Sequence, residues 1–191
     1  MLKLLKSAAV AVALSIVALP AHAATLLIVD VSDPGAVTVT ATGEASEATG
    51  TVTAFTGFSF VDFFSGTPGG QLSVDSGLLT VVGSGVSVTS VFSDGADDFL
   101  NLFTVGGGEY VFTQGEQAFS GSVTFSLAGV PELLPEPGFV GRIVLGDRLT
   151  TAGIEIGSYL VVGEPVPVPA AALLFPAGLL GLSRLRRRGA A

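Results

Sequence analysis

An all-β domain, built as an antiparallel β-sandwich or jelly roll, is the fold class this sequence predicts, and three observations carry the prediction. Between Ala24 and Glu164 the chain consists of short runs of Val, Thr, Phe, Leu and Ser punctuated by glycine, the texture of strands and turns. From Ala118 to Leu127, Phe119, Val123, Phe125 and Leu127 share one face with Gly121, while Ser120, Ser122, Thr124 and Ser126 line the other. That period of two describes a sheet with one wet side, which fits antiparallel pairing better than parallel. No stretch of the same interval places apolar residues at helical spacing between caps.

Taken in order, Thr25 to Val31 is an apolar strand closed by the turn-forming Ser32-Asp33-Pro34-Gly35. Ala36 to Thr42 alternates, with Val37, Val39 and Ala41 on one face and three threonines on the other. Thr51 to Phe64 carries five phenylalanines and holds one long strand or two short ones. Gly66-Thr67-Pro68-Gly69-Gly70 ends it, because glycine and proline together break a ladder. Further strands are expected at Gln71 to Val74, Leu78 to Val82, Val86 to Phe92, Phe99 to Val105 and Tyr110 to Thr113. After Ala118 to Leu127, Pro131, Pro135 and Pro137 make Val130 to Gly138 a loop, and Phe139 to Leu145 and Ile154 to Val162 complete the set. Nine to eleven strands with frequent turns and no repeat of fixed period favour a sandwich over a solenoid or propeller.

The interval 24–164 is long enough for one domain with its own core. All sixteen acidic residues fall within it, against Arg142 and Arg148 alone, which leaves it at −14. So acidic a surface repels phosphate backbones and argues against nucleic acid as a partner. Cysteine is absent and the single histidine, His22, lies ahead of the domain. Ser-His-Asp and Cys-His catalysis and most zinc or copper sites therefore have no residues to work with.

Both ends of the chain read as membrane-handling segments. Lys3 and Lys6 precede the apolar run Ala8 to Leu19, and Pro20-Ala21-His22-Ala23 follows. This is the three-part pattern of a secretory signal peptide, residues 1–23, with cleavage after Ala23, so that Ala21, Ala23 and Ala24 frame the signal peptidase site. This twelve-residue run reaches about 18 Å as a helix, short of a hydrocarbon core of about 30 Å. At the other end Pro165-Val166-Pro167-Val168-Pro169 leads into the apolar segment Ala170 to Leu182, then Arg184, Arg186, Arg187 and Arg188. A helix from Pro169 to Leu185 spans about 25 Å, near the short limit for a single transmembrane helix, whether held in the membrane transiently or as a permanent anchor. Pro176, Gly178 and Gly181 weaken it. Its apolar residues go all round, unlike an amphipathic helix of a soluble domain. The positive-inside rule keeps the lysines and the arginines alike in the cytoplasm and puts the acidic domain outside.

The order Pro167-Val168-Pro169-Ala170-Ala171, Leu174-Phe175, Gly178-Leu179-Leu180-Gly181-Leu182 and an arginine cluster resembles the PEP-CTERM sorting signal of Gram-negative bacteria. The resemblance covers residues 165–191, with Val168 where the family's glutamate would stand. It implies recognition by a membrane-embedded exosortase that cuts near the proline motif. It also implies an exported protein, in the inner membrane in transit and then at the cell surface or outside the cell, associated with exopolysaccharide or biofilm.

Within the domain, Asp94, Asp97 and Asp98 lie in one loop and form a possible calcium site, with a solvated turn as the alternative. Glu109, Glu116, Asp147 and Glu155 are the carboxylates that a glycoside hydrolase would have to pair, and nothing local pairs any two. Sugar-binding faces usually use Trp or Tyr, and this chain has no Trp and only Tyr110 and Tyr159. Its phenylalanines, mostly at strand positions, are expected to fill the core. The sequence thus points to a non-enzymatic structural or adhesive surface protein, with a carbohydrate-binding module as the alternative and a secreted hydrolase behind both.

Overall fold

The computed structural model describes residues 23–68, 70–93, 98–146 and 153–163, and within them the protein is all-β. The signal peptide up to His22, the proline motif, the apolar tail and the arginine cluster lie outside the described residues. Among the described residues no helix is long and apolar enough to cross a membrane.

The strands are β1 (Thr25–Asp30), β2 (Val37–Ala41), β3 (Gly50–Thr53), β4 (Phe58–Phe60), β5 (Gly70–Val81), β6 (Val86–Ser87), β7 (Ser90–Ser93), β8 (Leu100–Phe103), β9 (Glu109–Phe112), β10 (Phe119–Phe125), β11 (Val140–Leu145) and β12 (Glu155–Val162). The only helical element among the described residues is a 3-10 turn, Pro131–Leu133, inside the expected proline loop. The phenylalanine-rich stretch resolves into two short strands, β3 and β4, which belong to different sheets.

Ten strands form one curled sheet in the order β10-β2-β1-β12-β11-β4-β8-β7-β5-β6, and β10 also pairs with β5. The ladders therefore return to their starting strand, and the closed circuit leaves few free edges to recruit another chain. β3 and β9 form a separate two-stranded ribbon. Tyr110 and Phe112 of that ribbon are buried, with rings 5.7 Å from Phe58 and 5.3 Å from Phe119.

Two expectations are corrected. The sheet is mixed rather than antiparallel, because β1 and β12 run parallel with Asp30 beside Val162. Alternation reports which face is wet, not strand direction, and these two strands are joined by almost the whole domain, so no tight hairpin constrains them. Second, Gln71 to Val74 and Leu78 to Val82, all but Val82 itself, belong to one twelve-residue strand, β5. Gly77 falls in the gap left between the two expected strands, yet in the fold it lies within β5, in register with Val123 at φ 87°. Gly121 on β10 has φ 80°, and a Cβ on either glycine would strike the partner strand's backbone. Two left-handed glycines on adjoining strands thus let β5 pair with β7 along one part of its length and with β10 along the rest.

The core is aromatic. Phe58, Phe60, Phe63, Phe99, Phe112, Phe119 and Phe125 are fully buried, as the strand pattern predicts. The alternation of β2 and β10 is kept, with Val37, Val39, Val123 and Phe125 buried and their threonine and serine neighbours outward. A small polar network crosses this core. Ser59 Oγ donates to the Gly146 carbonyl at 2.6 Å, and Asn101 Nδ2 donates to Ser59 Oγ at 3.1 Å and to the Thr56 carbonyl at 2.9 Å. Every buried side-chain polar atom among the described residues has a partner, as stable interiors require.

Candidate functional site

Three places on the fold bear on function: the start of β1, the surroundings of Tyr159 in the middle of β12, and the outer face of β2, β10 and β5.

At the start of β1, Ala23 and Ala24 lie against β12. The Ser158 backbone N–H donates to the Ala24 carbonyl at 2.9 Å. Ser158 Oγ reaches the carbonyls of Ala23 and Ala24 at 3.2 and 3.1 Å. The Ala24 N–H donates to the Glu47 carboxylate. Glu47 is held in place by its own backbone, whose N–H donates to the Ile156 carbonyl at 2.9 Å. Ala23 and Ala24, two of the residues framing the expected cleavage, are thus docked on the fold, while Ala21 lies outside the described residues.

In the middle of β12, next to Ser158, Tyr159 is fully buried and stacks on Phe60 at 4.7 Å. Its hydroxyl donates to the Val61 carbonyl at 2.9 Å. Burial, with the Asp62 and Asp98 carboxylates adding to it, pushes its phenol far above the ordinary value, so the group stays a protonated donor. Asp98 is the described member of the calcium candidate, and its carbonyl accepts from the Phe64 N–H at 2.8 Å. Asp94 and Asp97 lie outside the described residues. Among the described residues no group of three or more His, Cys, Asp or Glu side chains converges as a metal site. Asp62, which sequence reading did not single out, joins Asp98 near this tyrosine and holds a left-handed backbone at φ 58°. A carboxylate just after a strand of alternating Phe and Ser gives no local signal of that convergence.

Of the four carboxylates a hydrolase would need, Asp147 lies outside the described residues. Glu155 faces Arg142 at 3.6 Å in a solvent-exposed pair. Glu109 opens β9 opposite Thr53. Glu116 lies in the turn before β10, its carbonyl accepting from the Ser46 N–H. Tyr110, like Tyr159, is fully buried and hydrogen-bonded, with its hydroxyl 2.8 Å from Thr104 Oγ1. Neither tyrosine can serve as a sugar-stacking platform on the surface.

The outward face of β2, β10 and β5 is lined with hydroxyls. Thr38 pairs across to Thr124, which pairs to Ser76, and Ser120 pairs to Thr80. Thr38 and Thr124 are hydrogen-bonded at 3.0 Å, and Thr80 meets Ser87 at 2.8 Å. The face carries neutral donors and acceptors in a register fixed by the ladder.

Asp30, at the end of β1, accepts from the Ser32 hydroxyl at 2.6 Å and from the Ser32 N–H at 2.9 Å, and these bonds lower its pKa. A depressed carboxylate contributes stability above its unfolded pKa, and that stability is lost as pH falls through the folded value. An NMR titration is expected to place the Asp30 midpoint below 3.8 in the wild-type protein and to move it upward in Ser32→Ala. Equal midpoints would remove the assignment.

Comparison of the chain with protein-family models, with curated proteins and with solved structures gave no match.

Proposed function

We propose that this chain is an exported structural or adhesive protein of the cell surface or extracellular matrix, delivered by an exosortase-type sorting system. The observation that carries the reading is the order of parts in residues 165–191: a proline-rich segment, an apolar run interrupted by Pro176, and four arginines. An extended proline segment at the membrane surface offers a bare backbone to a protease. The short, interrupted helix behind it is held less firmly than an unbroken one. The signal peptide supplies entry to the same route, and the excess of carboxylates suits a soluble surface outside the cell.

The domain's part in this reading is non-enzymatic. We read the closed circuit as a flattened two-layer sandwich, supported by the Phe58 ring of β4 lying 5.0 Å from Phe119 of β10, a strand far from β4 in the pairing order. Layers packed about 10 Å apart bring side chains of opposite strands together in this way. The hydroxyl-lined face of β2, β10 and β5 suits hydrogen bonding to a hydrated polysaccharide. Burial of both tyrosines sets a lectin with aromatic platforms behind a structural or adhesive role.

Fractionation and intact-mass measurement in the native host test the route. The mature chain is expected to begin at Ala24 and to lose the arginine cluster when the exosortase is present, and to remain in the membrane with its tail when the exosortase is deleted. A surface-localised chain that retains its tail through Ala191 would sink the sorting proposal. Retention of the purified protein on the host's exopolysaccharide, against a column of unrelated polysaccharide, checks the matrix role.

A further inference from the structure

The Ala24 N–H donates to the Glu47 carboxylate while the carbonyl of the same residue is held by Ser158. An amide N–H needs no charged partner. An α-ammonium does, and it is what cleavage between Ala23 and Ala24 would leave at this atom. We infer that Glu47 is the counter-ion of the processed N-terminus, a latch that becomes an ion pair only when the leader is removed. This rests on the export reading given above.

The surroundings suit the role. Glu47 is anchored to β12 through its N–H bond to Ile156, so the carboxylate is positioned before the amine is freed. Thr42 Oγ1 accepts nothing from the terminus. It donates to the carbonyls of Thr25 and Leu26 at 2.7 and 3.0 Å and holds the first residues of β1 in line. Among the described residues, the other charged groups on adjoining elements are Glu44 three positions before Glu47, Glu116 across the Ser46 contact, and the Arg142–Glu155 pair, whose members face each other at 3.6 Å. The unpaired charges among these are negative and favour an ammonium here. Cleavage releases one Ser158 contact, to the Ala23 carbonyl, and keeps the bonds to Ala24. It exchanges a neutral–charged hydrogen bond for one in which both partners are charged, which is the shorter and stronger kind.

The sequence makes the latch measurable. The only lysines are Lys3 and Lys6, so a chain running from Ala24 carries a single amine. A free α-amine has a pKa of about 7.7–8.0. A carboxylate partner raises that value in the folded state, so the stabilisation is complete below the unfolded pKa and is lost as pH rises through the folded one.

The test treats the exported, folded protein at pH 7.5 with an amine-acetylating ester and follows intact mass and urea midpoint in wild type and Glu47→Gln. The latch predicts one acetyl group, acquired about two- to eightfold more slowly in wild type than in Glu47→Gln, as a pKa rise of half a unit to one unit gives at this pH. It also predicts that acetylated wild type shows the same lowered midpoint as Glu47→Gln, and that acetylating the variant lowers it no further. One acetyl group with equal rates, or a wild-type midpoint indifferent to acetylation, overturns the latch and leaves export standing. Three acetyl groups on a chain still starting at Met1 overturn the cleavage reading, and the latch with it.

Discussion

Truncating Phe58 to alanine is expected to destabilise the domain by about 3–5 kcal/mol, measured as a shift in the urea midpoint of the exported protein. Phe58 is fully buried, and its ring lies 5.0 Å from Phe119, 5.7 Å from Tyr110 and 6.3 Å from Phe60. It therefore joins three parts of the molecule: its own strand, the opposite side of the circuit and the β3–β9 ribbon. The cavity left behind cannot close by moving one strand, because each neighbour is fixed by a ladder of its own. Phe55, three residues earlier and 67% exposed, meets the Phe103 ring edge-on at 6.1 Å. Its replacement by alanine is expected to cost less than about 1 kcal/mol. Equal effects at the two positions would mean that the aromatic core described above does not hold the fold.

The contrast between these two phenylalanines also marks what the sequence makes legible. Both sit in one apolar stretch, and nothing local says that Phe55 turns outward at the end of β3 while Phe58 begins a strand of another sheet. Strand existence is readable where alternation is strict, as at Val37 to Ala41 and Phe119 to Phe125, because a two-residue period tells the inside from the outside. Strand partnership is not. The parallel pairing of β1 with β12 joins residues more than 130 positions apart, Thr25 with Ser158, and no local pattern encodes it. Gly77 misleads for a related reason, since a left-handed glycine signals a turn as readily as a bend within a ladder.

The candidate sites divide along the same line. Asp94, Asp97 and Asp98 attract notice by crowding within five residues, a purely local signal. Asp62 and Glu47 owe their interest to where the fold carries them, one beside the buried Tyr159 and the other against the backbone of Ala24. The expected signal peptidase site is legible from small residues at fixed spacing. That the new terminus would meet a carboxylate is a property of the β1–β12 pairing and of the connection between β2 and β3.

Gly141 offers the sharpest steric test of that pairing. It lies inside β11 directly across from Tyr159 of β12 and is buried. Its backbone needs no left-handed conformation, so on local grounds alanine there would be favourable by about 0.5–1 kcal/mol over glycine. In the fold, an added Cβ would run into Cζ, Cε1 and the hydroxyl of Tyr159. That ring cannot retreat, being stacked on Phe60, flanked by Phe63 at 5.9 Å and Phe139 at 6.1 Å, and bonded to the Val61 carbonyl. Gly141→Ala is therefore expected to destabilise by about 2–5 kcal/mol, the cost of overpacking plus that of leaving a buried carbonyl without its donor. Tyr159→Leu removes the atoms that collide, at its own cost in packing. On that background Gly141→Ala is expected to cost less than about 1 kcal/mol, a coupling of the size neighbouring residues show in a double-mutant cycle. Additive losses would mean that the two residues do not face each other, and the register of β11 on β12 would have to be redrawn.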